Sequence, residues 1–136
     1  MGLISWWQNR KRKELQRTYH ELSTEFFETY TRLKQLFYEL KGVISKRLSI
    51  EEVFAKRNQF YETYKQFTHL LEELTSIDER WGKVESKIGF FSRGVTYLFK
   101  HENNFDYDKA LKTLNIMKKS FKKIEDSLNE LNSKAA

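Results

Sequence analysis

The feature that most constrains this chain is a helical periodicity that runs almost from end to end. Between Leu15 and Ile44 the apolar residues are Leu15, Tyr19, Leu22, Phe26, Tyr30, Leu33, Phe37, Leu40 and Ile44. Every step is three or four, which places them on one stripe of an amphipathic helix. Nothing punctuates that pattern, because the 136 residues contain no Pro and only 5 Gly. β-rich and loop-rich folds need those residues at their turns. The predicted class is therefore all-α.

Gly42 and the polar run Ser45-Lys46-Arg47 mark the end of the first helix. Ser49-Ile50-Glu51-Glu52 then spells a capping box, in which Ser49 accepts from the Glu52 amide and the Glu52 side chain reaches back. The second helix carries Val53, Phe60, Tyr64, Phe67, Leu71 and Leu74, with Arg57 interrupting the seam. Ser76-Ile77-Asp78-Glu79 could cap a further helix, but Thr75 and Ser76 alone make a short turn. The stripe resumes at once with Ile77, Trp81, Val84 and Ile88, so the expectation is one helix to about Ile88, kinked near Ser76, with Trp81-Gly82 in its middle. Whether residues 75–77 turn or continue the helix stays open at this level.

Gly89 and Gly94 are expected to bracket a break. Phe90 to Phe99 reads either as a short helix or as a hairpin turning at Ser92-Arg93-Gly94, and the helix suits the rest of the chain better. A polar loop, Lys100 to Asn104, leads to Asp106 as N-cap of the last helix. That helix carries Tyr107, Leu111, Leu114, Met117, Phe121, Ile124, Leu128 and Leu131. The predicted fold is one domain, residues 1–136: an elongated antiparallel bundle of three long helices with a short fourth helical segment. Residues 1–14 extend its first helix.

Residues 26–40, FFETYTRLKQLFYEL, align with residues 60–74, FYETYKQFTHLLEEL, with seven of fifteen positions identical at an offset of 34. The offset equals the tetratricopeptide period, but that repeat places two helices in each unit and uses a small-residue pattern missing here. Folded back near Lys46–Ser49, the two segments lie side by side. The expectation is that Phe26, Tyr30, Phe60 and Tyr64 form one buried aromatic cluster where they cross.

Residues with catalytic or metal-binding spacing are not found. His20, His69 and His101 form neither His-Glu-x-x-His nor Glu-x-x-His, and His69 beside Glu72 and Glu73 is the nearest approach to a ligand group. There is no Cys, hence no thiol nucleophile or thiolate site. Gly-rich phosphate loops and a nucleophile elbow are missing, and Ser120-Phe121-Lys122-Lys123 lacks the companions of an S-x-x-K site. The expectation is a non-enzymatic chain without cofactor or metal. The cysteine-free composition fits a reducing, cytoplasmic setting, and no apolar run reaches the roughly 18 residues of a membrane span.

Charge supplies the remaining signal. The formal net charge is +6, unevenly placed. Leu3, Ile4, Trp6 and Trp7 precede Arg10, Lys11, Arg12 and Lys13, a composition that suits a membrane interface or a partner protein's surface. A plainer reading has the two Trp capping the core. Lys109, Lys112, Lys118, Lys119, Lys122 and Lys123 fill a second stretch with no acid among them. Of these, Lys112, Lys118, Lys119, Lys122 and Lys123 make a candidate anion-binding face. The functional expectation is an adaptor or regulator docking through its N-terminus on a protein or an anionic membrane, peripheral to it. A nucleic-acid binder using both basic clusters is the alternative, and the composition also admits a homo-oligomer.

Overall fold

The computed structural model describes the backbone of residues 3–100 and 105–135, and the side chains of residues 18–89, 91–99 and 105–131. It is all-α, with no strand among the described residues. Five α-helices follow in order: α1 (Leu3–Ser45), α2 (Ile50–Ile77), α3 (Gly82–Ser86), α4 (Gly89–Lys100) and α5 (Tyr107–Ala135). A 3₁₀ turn, Glu79–Trp81, separates α2 from α3.

The two longest-paired helices, α1 and α2, are joined by a tight reversal. Arg47 takes a left-handed conformation at φ 54°, Leu48 N–H donates to Val43 O and Arg47 N–H to Ile44 O. That pair of bonds is a Schellman motif, which satisfies the last carbonyls of α1. Ser49 then caps α2 by accepting from the Glu52 amide at 3.3 Å, so the Ser half of the expected capping box is in place. Tyr107 Oη donates to Leu48 O at 2.7 Å, tying the start of α5 to this turn.

Ring contacts set the register. Phe26 stacks on Phe67 with centroids 5.0 Å apart, and Phe37 lies 6.2 Å from Phe60. Contacts thus move backward along α2 as they move forward along α1. In such a pair, sequence-equivalent residues meet only at the pseudo-two-fold axis, so Phe26 is level with Phe67 and Phe60 with Phe37. The single cluster expected of Phe26, Tyr30, Phe60 and Tyr64 therefore does not form. Phe26 and Tyr30 stack with centroids 6.4 Å apart, while Phe60 and Tyr64 both turn to Phe91 of α4. Phe26, Tyr30 and Phe60 are nevertheless buried, and Tyr64 is half-buried.

The expected continuous helix to Ile88 is corrected. α2 stops at Ile77, Asp78 is extended at φ −138°, and its side chain accepts from the Arg80 amide to begin the 3₁₀ turn. One extended residue suffices, because the break is held from outside it. Trp81, 1% exposed, donates its indole N–H to Tyr19 Oη at 2.9 Å. Tyr19 in turn donates to Asp78 Oδ2 at 3.2 Å. Trp81-Gly82 accordingly sits at a helix junction rather than inside a helix.

Gly89 and Gly94 do not bracket a break either: α4 begins at Gly89 and runs through Gly94 as a helix, so the hairpin alternative is excluded. The reason for Gly94 is close packing. A Cβ there would lie 2.4 Å from Met117 Cγ of α5, and Met117 is fully buried. Arg57, which breaks the stripe of α2, is 3% exposed. Its guanidinium lies 4.0 Å from the Phe54 ring centre and 4.2 Å from that of Phe99. Nη1 also donates to Leu98 O at 3.2 Å. A cation–π sandwich of this kind makes a buried cation tolerable and joins α2 to α4. Asp106 caps α5 as expected, accepting from the amides of Asp108 and Lys109. The polar loop ahead of it falls largely outside the described residues.

Candidate docking surface

The two basic clusters occupy different places. Leu3, Ile4, Trp6, Trp7, Arg10, Lys11, Arg12 and Lys13 all belong to α1, a single helix of 43 residues. Their side chains lie outside the described residues. α2 is shorter, at 28 residues, and its last turn is level with Tyr19 through the Tyr19–Asp78 bond. The helix containing the aromatic and basic residues thus continues beyond the stretch of α1 that pairs with α2.

The junction at that level is a network. Arg80 Nη2 reaches Asp78 Oδ2 at 2.7 Å. Hydrogen bonds from the Arg80 side chain hold the Asp78 carboxyl below its ordinary range, assisted by the Arg80 amide and by Tyr19 against a partial desolvation. Asp78, Tyr19 and Trp81 thereby fix where α2 ends against α1.

The second cluster is fully described. Lys109, Lys112, Lys118, Lys119, Lys122 and Lys123 are all exposed on α5. Its buried residues, among them Leu114, Met117, Phe121 and Ile124, take the opposite face. Lys112, Lys119 and Lys123 run along the outward crest, as their spacing on a 3.6-residue helix requires, with Lys122 turned toward the α1 side. Lys118 turns toward α1, where its Nζ stands 6.0 Å from the centre of the Tyr38 ring. Farther along the same seam Glu125 binds Lys34 and accepts from Tyr30 Oη at 3.1 Å. The Lys34 hydrogen bond lowers the Glu125 carboxyl, while burial first and then Glu125 raise the Tyr30 phenol. The acids of α5 are therefore at its ends, and the Lys row lies between them.

Two residues of this surface escape a reading based on charge alone. Tyr38 and Ile116 are large apolar side chains, 46% and 57% exposed. Each lies off the stripe of its helix, which is the sequence signal that marks them. Lys34, which pairs with Glu125 of α5, is about 21 residues from Lys13 along α1. At 1.5 Å per residue the two basic clusters are separated by roughly 30 Å. The fold does not bring them into one patch.

Among the described residues, no group of three or more His, Asp or Glu is placed to hold a metal. His69 pairs with Glu73 at 2.8 Å along its own helix. No described helix is long and apolar enough to cross a membrane. Comparison of the chain with models of known protein families, with curated proteins and with solved structures finds no match.

Proposed function

We propose that this chain is a non-enzymatic helical interaction module, an adaptor or regulator that docks on an anionic membrane face through its aromatic and basic N-terminus. In this reading the helices form an elongated antiparallel bundle whose long members are α1, α2 and α5, with α3 and α4 as the shorter segment. It works in the cytoplasm, peripheral to the membrane.

The observation that carries the reading is the length of α1. The helix begins at Leu3, far beyond its pairing with α2, so Leu3, Ile4, Trp6 and Trp7 are carried on the same helix that enters the folded body. Trp favours the headgroup level of a bilayer, and Arg10, Lys11, Arg12 and Lys13 suit anionic headgroups. Each such cation near the surface contributes on the order of 1 kcal/mol. Trp fluorescence tests it directly, because Trp81 is buried and supplies a constant background. Vesicles containing phosphatidylserine should shift the emission to the blue and sediment the protein, and Trp6→Ala with Trp7→Ala should abolish both effects. Absence of binding would overturn the lipid reading and leave a protein partner for the same residues.

A second reading, nucleic-acid binding, is favoured by the acid-free Lys row of α5. It predicts a gel shift that weakens steeply with salt and is lost when Lys118, Lys119, Lys122 and Lys123 become Glu.

A further inference from the structure

The charges of the folded body are segregated between its two outer helices. α2 exposes Glu51, Glu52, Glu62 and Glu72, and its exposed Lys65 is paired with Glu62 at 3.1 Å. α5 exposes six Lys between Asp108 and Glu125 with no acid among them. These two helices are not neighbours. α5 packs chiefly on α1 and α4. α1 pairs with α2 on its other side, and α4 meets α2 through Arg57 and Tyr64. The acidic and basic faces thus stand on opposite sides of the molecule with α1 and α4 between them, which gives the body a preferred orientation toward an anionic plane.

The basic face also carries apolar side chains where a phosphate-tracking groove has no use for them. Ile116 lies one turn from both Lys112 and Lys119 on α5. Tyr38 of α1 borders the opposite flank beside Lys118. An apolar Ile116 set among Lys112, Lys119 and Lys123 on the outside of one helix matches a flat lipid headgroup layer better than a nucleic-acid strand. A strand would need aromatic platforms for stacking, and Tyr38 is the one exposed aromatic beside the row among the described residues.

We infer that the outward face of α5, centred on Lys112, Ile116, Lys119 and Lys123, is a second contact with an anionic lipid surface, so that the body lies flat on the membrane. The inference extends the docking reading above, and the two fail separately.

The native chain has no Cys, so Ile116→Cys can carry a single environment-sensitive fluorophore, with Glu72→Cys on the acidic side as control. With the full chain and phosphatidylserine-containing vesicles, the label at 116 should brighten and shift to the blue. The label at 72 should not respond, and phosphatidylcholine vesicles should move neither. Lys112→Glu with Lys119→Glu and Lys123→Glu should weaken partitioning on the order of a hundredfold, at about fivefold per Lys. A silent label at 116, in protein whose Trp emission still responds, overturns this inference and leaves N-terminal docking intact. A response at 116 that survives Trp6→Ala with Trp7→Ala, with undiminished sedimentation, supports the α5 contact and overturns the N-terminal one. Silence of both probes overturns both. A larger response at 116 to single-stranded RNA than to the vesicles would assign the face to nucleic acid instead.

Discussion

The α1–α2 hairpin and the segment from Asp78 to Lys100 use similar residues to opposite effect. In the hairpin, apolar residues recur at regular steps and the helices run unbroken through the pairing. In the later segment an equally apolar run is divided into a 3₁₀ turn, a five-residue helix and a twelve-residue helix. The difference is where the conformational decision is made. The hairpin is specified locally, by stripe and cap. The broken segment is specified by contacts with α1, α2 and α5 that override the local periodicity.

The largest expected effects test whether the two regions are equally part of the core. Phe26→Ala in the hairpin should destabilise by about 3–5 kcal/mol, because the ring is fully buried between Phe67 and Trp81 and its removal leaves a cavity. Trp81→Ala in the broken segment should cost about as much, since it removes a buried indole and its bond to Tyr19. Urea melts of both variants measure this. A small shift for Trp81→Ala beside a large one for Phe26→Ala would show that the broken segment is only a cover on a hairpin core.

A smaller effect separates close packing from helix propensity inside α4. Gly94→Ala should gain roughly 1 kcal/mol of intrinsic helix propensity, yet its Cβ would press on Met117. Overpacking of a filled core costs about 1–3 kcal/mol, so the net change should be destabilising. Met117→Ala should therefore cost less in the Gly94→Ala background than in the wild type. A double-mutant cycle with no coupling would show that the α4–α5 approach is looser than the geometry implies.

These contrasts explain how much was legible in the sequence. The stripes of α1, α2 and α5, the Ser49 cap and the Asp106 cap were legible, because their determinants lie within four residues of one another. The stop at Ile77 was not. Asp78 depends on Tyr19, 59 residues away, and without that contact the stripe through Ile77 and Trp81 argues for continuation. Arg57 could be read only as an interruption, since its two rings come from α2 and from α4. The aromatic cluster was misassigned because the pseudo-two-fold brings Phe26 to Phe67, not to its sequence equivalent Phe60. On the candidate surface, the Lys row was visible from composition. Its position across the molecule from the Glu residues of α2 was not, because that follows from how α1 and α4 stand between them.

The junction that ends α2 should also respond to pH. Hydrogen bonds from Arg80 lower the folded-state pKa of Asp78 below its unfolded value. A group lowered in this way stabilises the fold above the unfolded pKa, and that contribution disappears as pH falls through the lowered folded value. The difference in urea midpoint between wild type and Asp78→Asn should therefore be fully present near neutral pH and shrink below about pH 4. A difference that stayed constant into acid would mean that the charge of Asp78 does not hold the break.

The smallest expected effect concerns the turn that makes the hairpin possible. Arg47 holds φ at 54°, a conformation that costs a residue with a Cβ about 1 kcal/mol and costs Gly almost nothing. Arg47→Gly removes that strain. It also removes an exposed ion pair with Asp108 at 2.6 Å and a contact with the Tyr107 ring at 5.7 Å. An exposed pair of this kind contributes about 0–1 kcal/mol, and the exposed ring contact adds about 0.5–1. Strain relief and lost contacts nearly cancel, so Arg47→Gly should move the midpoint by no more than about 0.5 kcal/mol in low salt. Raising the salt screens the ion pair in the wild type, so the Gly variant should gain on it as ionic strength increases. A variant that falls further behind at high salt would show that Arg47 supports the turn through packing on Tyr107 rather than through charge.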